Sequence, residues 1–465
     1  MLFPTGVFAL FFGSVFLIHW TLVRAAPMLV KPFLLAASLV FYGFWSPSFA
    51  AALVVVGLCT WAVGLLVAKG RGRRWLVLGV GGALLWLFGF KYAGFMLREI
   101  DGALALLGLG ALPVPEILLP VGISFYVFQA ISYMVDVHRG DAEPARSPLD
   151  VLAYLTFFPH IAAGPIVRAA HFLPQLAHLP DARRIPVAMA LLLILGGLFK
   201  KVVLASEIAT GVVDPVFRDP EAYGAADILL ASYGYTVQIW CDFSAYSDMA
   251  IGVAALLGYH FPKNFDQPFR ATSLSEFWRR WHISLSTWLR DYLYKPLGGS
   301  RGGPRRTARN LMLTMLLGGI WHGANWTFLL WGALHGAVLV IERYVLGWRE
   351  RPSSALQAAL RWAITFHIVV IAFVLFRVPG LATVGAMATA LAENAAPVEL
   401  ASPRLLLLVG LGLGLHFLPA NLRQRTERLV AGLHPAALGA LAGILLLLVL
   451  GAGPEGVAPF IYFQF

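Results

Sequence analysis

Two histidines, His282 and His322, stand in the stretch TSLSEFWRRWHISLSTWLRDYLYKPLGGSRGGPRRTARNLMLTMLLGGIWHGANWTFLLW, residues 272 to 331. An imidazole with an ordinary pKa near ~6.5 can take a proton from a hydroxyl at neutral pH and return it to a leaving group. That is the chemistry of group transfer, and it depends on what holds each ring in place.

For His282 the sequence predicts a helix. Ser273 with Glu276 three residues on is a capping box. From there Leu274, Trp278, Trp281, His282, Leu285, Trp288, Leu289 and Tyr292 share one face, opposite Glu276, Arg279, Arg280, Thr287 and Arg290. An amphipathic helix of this kind lies in a membrane interface with its basic face toward headgroups, so His282 is expected to point inward. His322 follows a short apolar run, Leu311 to Ile320, that is expected to break at Gly318 and Gly319. After Trp321, His322, Gly323, Ala324 and Asn325, a second apolar run reaches about Ile341. At 1.5 Å per residue the first limb covers about 15 Å, roughly half of a ~30 Å hydrocarbon core. His322 is therefore expected near the membrane midplane, at a break whose backbone must be satisfied by protein or water.

Other polar residues fall inside apolar runs. The segment 231 to 257 carries Gln238, Asp242, Ser244, Tyr246, Ser247 and Asp248, and the segment 117 to 137 carries Ser124, Tyr126, Gln129, Ser132, Tyr133 and Asp136. Ionisable groups at membrane depth are functional candidates by default, and these two segments are candidates to line a water-filled cavity. The plainer reading is that they bond one another and hold the bundle together. The run GGSRGG at 298 to 303, followed by arginines, suits either a phosphate-holding loop or a flexible turn. No metal-ligand spacing, nucleotide-binding glycine loop or serine-hydrolase elbow is present.

Composition sets the class. With 59% hydrophobic residues, 13% charged residues and a mean hydropathy of +0.75, the chain reads as an all-α polytopic membrane protein. Cys59 and Cys241 lie far apart inside apolar runs, which argues against a disulfide framework. The net charge of +11 comes from Lys and Arg clustered in short loops. That is the positive-inside pattern of a membrane protein, so nucleic acid is excluded as a partner. The first apolar run, 7 to 23, lacks a basic n-region and reads as an uncleaved span.

Tracing basic loops predicts spans near 5 to 23, 28 to 45, 49 to 68, 75 to 97, 117 to 137, 187 to 204, 228 to 257, 362 to 378, 405 to 418 and 437 to 450, with a dip at 151 to 165. In this tracing Glu207, Asp214, Asp219 and Glu221 form an outer loop, and Arg423, Arg425 and Arg428 an inner one. Basic residues flank both ends of the 311 to 341 unit, making it a hairpin or re-entrant loop. About ten crossings plus re-entrant and interfacial helices leave both termini outside. The sequence shows no fixed-period repeat, and it predicts a single membrane domain over 1 to 465 with its core at 272 to 331 and an extracytoplasmic tail at 454 to 465.

The stretches FWRRWHISLSTWLRDYLYKPLGG and GGIWHGANW, with LPVGISFYVFQAISYMVDVHRG at 119 to 140, FFPHIAAGPIVR at 157 to 168 and QIWCDFSAYSDMAIG at 238 to 252, resemble the membrane-bound O-acyltransferase superfamily, in its bacterial alginate O-acetyltransferase branch. The resemblance covers nearly the whole chain. It implies a helical fold in which a cytoplasmic acyl donor and an outer funnel meet at the family's invariant histidine, which maps onto His322; the second motif histidine maps onto His282. It implies acetyl-CoA as donor with no bound cofactor or metal, an exopolysaccharide such as alginate as acceptor, a periplasmic SGNH-hydrolase-like partner, and the bacterial inner membrane as location.

On this expectation His322 is the base, His282 or Asn325 orients or polarises the thioester, and Trp321, Asp242, Ser244, Tyr246, Asp248 and Gln129 contact substrate. The F-x-Y-F portion of the tail resembles the C-terminal motif of the small membrane subunit in the D-alanylation system, which makes Tyr462 a candidate acyl carrier. A proton-coupled transporter or flippase using the buried His is the competing class, but such proteins often show matching broken helices in two repeats, and none is visible.

Overall fold

A computed structural model of the chain describes residues 1–109, 112–162, 164–348 and 352–452; Tyr462 and the 454–465 tail lie outside the described residues. Among the described residues every regular element is helical. An apolar chain in lipid must satisfy its own backbone, and helices do so within each segment. The chain divides into two compact units, residues 1–186 with 253–262, and residues 187–252 with the part from Lys263 onward.

The first unit contains α1 (Gly6–Ala25), α2 (Val30–Gly43), α3 (Pro47–Leu66), α4 (Gly72–Lys91), α5 (Ala93–Leu106), α6 (Ile123–Arg139), α7 (Pro148–Thr156), α8 (Phe158–Ile161) and α9 (Ala169–Leu176). Thr5 and Ser46 start α1 and α3 by accepting the N–H groups of Phe8 and Phe49. The single span expected at 75 to 97 is divided, since α4 ends at Lys91 and α5 begins at Ala93. The dip expected at 151 to 165 is α7 and α8, buried along their length from Val151 to Ile161.

In the second unit α10 runs from Val187 to Arg218 through two π-helical turns, Phe199–Ala205 and Ala209–Val213. The expected outer loop is thus partly helix. Glu207 and Asp214 are tolerated in it because Arg404 and Arg377 meet them, each at 3.0 Å. There follow α11 (Ala225–Leu256, its last residues belonging to the first unit), α12 (Leu274–Arg280), α13 (Ile283–Leu289), α14 (Pro304–His322), α15 (Trp326–Tyr344), α16 (Ala355–Arg377), α17 (Leu381–Glu393), α18 (Pro403–Gly414), α19 (Ala420–Ala431) and α20 (Pro435–Ala452). The stretch with Arg425 and Arg428, expected as a loop, is helix α19.

Two further expectations need correction. Gly318 and Gly319 do not break α14, which continues to His322 and starts at Pro304 rather than near Leu311. They serve packing: a Cβ at Gly319 would sit 2.3 Å from the Phe328 carbonyl oxygen, and one at Gly332 would sit 2.5 Å from that of Met315. Small residues on both limbs let α14 and α15 approach backbone to backbone. Nor is 273 to 292 one helix; it breaks between α12 and α13, at Trp281 and His282.

Among the described residues, five helices are long and apolar enough to cross a membrane: Gly6–Ala25, Pro47–Gly70, Gly72–Lys91, Val187–Arg218 and Ala355–Arg377. Four shorter apolar helices, Pro27–Gly43, Leu381–Glu393, Pro403–Phe417 and Pro435–Val449, accompany them.

Candidate active site

The site is built from α12 upward. Ser273 Oγ accepts the Glu276 N–H at 3.0 Å, as the capping box requires. Glu276 Oε2 reaches back one residue further than expected, to the N–H of Thr272 at 2.9 Å and its hydroxyl at 3.1 Å. Burial pushes the Glu276 carboxyl up, but the Thr272 N–H and Arg280, 2.9 Å away, together hold it below the ordinary carboxylate range.

A second carboxylate bolts this end of α12 to α15: Glu342 accepts the N–H groups of Leu274 and Ser275 at 2.6 and 3.2 Å. Near its other end Trp278 Nε1 donates to His335 Nδ1 at 3.2 Å. These three bonds hold α12 along α15 as it runs toward His282.

His282 has φ 42° and ψ 55°. Only Gln267 shares a positive φ among the described non-glycine residues. For an L-residue this costs about 1–2 kcal/mol, so something must impose it. Asn264 does. Its carbonyl accepts the Ile283 N–H at 2.9 Å, and its Oδ1 accepts the Ser284 N–H at 3.1 Å and hydroxyl at 2.8 Å. Its amide in turn donates to Ser247 Oγ of α11 at 3.0 Å. The turn sends the imidazole inward, where it is fully buried against Phe243 (ring centroids 4.6 Å) and Phe265 (6.4 Å).

His322 is the last residue of α14 and is 3% exposed. Its ring lies in an aromatic cage of Trp331 (4.9 Å), Phe376 (5.0 Å), Trp321 (5.0 Å) and Phe328 (6.5 Å). Trp321 also touches His282, at 6.4 Å, so one indole contacts both histidines. The chain leaves α14 through Gly323, where a Cβ would come within 2.1 Å of the Phe328 ring. Asn325 then caps α15, its Oδ1 accepting the Thr327 N–H at 3.0 Å and its Nδ2 donating to the Pro379 carbonyl at 2.7 Å. Both polar ends of that amide are thus engaged in holding the break.

The remaining candidates sit elsewhere. Asp242 pairs with Lys201 at 2.6 Å, both buried, and the Tyr246 ring lies 5.7 Å from the same ammonium. Lys200 reaches Asp248 at 2.6 Å and Ser244 Oγ at 2.7 Å. These pairs join the first π turn of α10 to α11. Gln129 belongs to the first unit, where it donates to the Val167 carbonyl at 3.4 Å.

Sequence reasoning passed over Lys200, Lys201, Glu342 and His335, although each is an ionisable residue in or beside an apolar run and the rule applied to Asp242 would have found them. Of these, His335 adjoins the cage around His322. It is 1% exposed, and its ring lies 4.4 Å from Trp331, the indole that walls His322. Because Nδ1 accepts from Trp278, the neutral ring carries its proton on Nε2.

A strained break and a helix end thus place two buried imidazoles around one indole. The family model for the membrane-bound O-acyltransferase family matches residues 144–383, a span that includes both histidines, and the chain belongs to that family. It is an O-acyltransferase of the membrane. Among its relatives, the protein named "Probable alginate O-acetylase AlgI" of Pseudomonas syringae pv. tomato is 43% identical, over 83% of this chain and 74% of its own. The "Peptidoglycan O-acetyltransferase" of Helicobacter pylori is 33% identical over 82% of this chain and 78% of its own. The "Teichoic acid D-alanyltransferase" of Streptococcus thermophilus is 28% identical over 55% of this chain and 68% of its own.

Proposed function

We propose that this protein moves an acetyl group from a cytoplasmic thioester, acetyl-CoA, across a bacterial inner membrane for the O-acetylation of an exopolysaccharide such as alginate. The observation that carries the reading is the buried, caged imidazole of His322 at the end of α14, in a chain 43% identical to a protein named as an alginate O-acetylase.

His322 takes the proton of the attacking hydroxyl as its oxygen bonds to the thioester carbonyl carbon. The C–S bond breaks and the imidazolium returns the proton to the thiolate, leaving an ester and a free thiol. His282, across Trp321, orients the carbonyl. The five long and four shorter apolar helices, with the α14–α15 hairpin, support about ten crossings in all. On the outer side a periplasmic SGNH-hydrolase-like partner completes transfer to the polymer, and Tyr462 serves as the acyl carrier between them.

The test is reconstitution in vesicles with labelled acetyl-CoA supplied to one face and the partner with polymannuronate to the other. Labelled ester on the polymer is the expected result. Absence of both ester and thioester consumption would contradict the reading.

A further inference from the structure

At the N-terminal end of α12 the second unit forms an open pocket of about 630 Å³ whose wall carries four arginines, Arg279, Arg280, Arg343 and Arg361. Three carboxylates share the wall, and each is already committed. Glu276 and Asp266 both pair with Arg280, at 2.9 and 3.4 Å, and Glu342 holds the first N–H groups of α12. Arg279 and Arg343 rest instead on neutral hydroxyls: Arg279 Nη1 donates to Ser275 Oγ at 3.1 Å and Arg343 Nη2 to Ser300 Oγ at 3.2 Å. Neither forms an ion pair among the described residues. Arg361, 9% exposed, lies 5.0 Å over the Trp348 ring, and Trp348 is part of the same wall.

Guanidinium groups that face a pocket without an ion-pair partner are available to an anion, and their fork matches the oxygens of a phosphate. The volume suits a ligand of nucleotide size. Ser300, which holds Arg343, belongs to the GGSRGG run that the sequence offered as a phosphate-holding loop. The run contributes through its serine.

We propose that this cavity binds a phosphate-bearing group through Arg279 and Arg343, with the Trp348 indole backed by Arg361 as a flat wall beside it. The proposal rests on the functional reading above, in which the group is the far end of the thioester donor; an anionic lipid headgroup offers the same chemistry. Glu342 stands in this wall within electrostatic reach of Arg279 and Arg361, and it caps α12, whose last residue, Arg280, lies two before His282. Binding energy gained far from the acyl group thus reaches the element that positions the second imidazole.

The experiment compares wild type with Arg279→Gln/Arg343→Gln in detergent, using acetyl-CoA and its phosphate-free counterpart S-acetyl-pantetheine as donors. The ratio of kcat/KM for the two donors is expected to fall by about tenfold or more with loss of the charge-assisted bonds. Arg279→Lys/Arg343→Lys should recover part of it, separating charge from packing. Phosphatidylglycerol carried through purification is measured on the same samples by native mass spectrometry. If it is lost in the Gln pair while the donor ratio holds, the phosphate is a lipid's. A ratio and a lipid content both equal to wild type overturn the site. Failure of wild type to use either donor, with CoA binding by dialysis still lost in the Gln pair, sinks the functional reading and leaves the site standing.

Discussion

At the scale of single residues, the histidine that sequence reasoning passed over makes the sharpest claim about the cage. His335 accepts the Trp278 indole N–H and packs on Trp331, so it holds two indoles, one of which walls His322. His335→Leu leaves the half-buried Trp278 N–H without its acceptor, at a cost of about 0.5–1.5 kcal/mol. The expected outcome is a lower Tm in detergent together with reduced transfer; a variant as stable and active as wild type removes His335 from the account. Gly323→Ala is expected to be at least as damaging, because the added methyl meets the Phe328 ring and Phe328 walls His322. Fluorescence-detected size exclusion and transfer rate report it, and wild-type behaviour contradicts the packing. The burial of His322 and His282 was legible because each stands in a motif with an interpretable neighbourhood. His335 was not: LWGALHGA gives no local signal beyond an ionisable residue in an apolar run, and its partner Trp278 is distant in sequence.

At the scale of elements, local rules succeeded where the cause is local. The start of α12 followed from Ser273 and Glu276, and the hairpin followed from two apolar runs flanking a polar break. The left-handed turn at His282 did not follow, because WRRWHISL continues a helical face without interruption and the turn is imposed by Asn264, which reaches it through tertiary contact. Gly318 and Gly319 were misread for a related reason: glycine marks both broken helices and closely packed ones, and only the facing Gly332 and Phe328 decide between them. The anchoring of α12 carries a pH signature. A carboxyl held below its unfolded value adds stability that is complete above the unfolded pKa and is lost as pH falls through the folded one. Glu276 is such a group, about a quarter exposed, so screening limits its worth to under about 1 kcal/mol. Thermal melts of wild type and E276Q should differ at neutral pH and converge on acidification; a constant difference contradicts the assignment.

At the scale of the whole molecule, the membrane class and the family were readable from composition and motifs, and the family match is their counterpart. The extent of α10 was not, since Glu207 and Asp214 look like loop residues until Arg404 and Arg377 are seen beside them. The orientation expected from charge is open to test: single cysteines at Arg73 and Arg425 should react with an impermeant reagent only from the cytoplasmic face, and one at Asp219 only from the periplasmic face. Labelling of positions 73 and 219 from the same side contradicts the count of crossings. The central claim is that acyl transfer passes through His322. Its most direct measurement is the rate of polysaccharide acetylation by His322→Ala, purified and shown by thermal melt and monodispersity to fold as wild type does. The account predicts loss of at least about two orders of magnitude, the usual contribution of a positioned general base. A folded variant that retains more than about a tenth of wild-type transfer contradicts it.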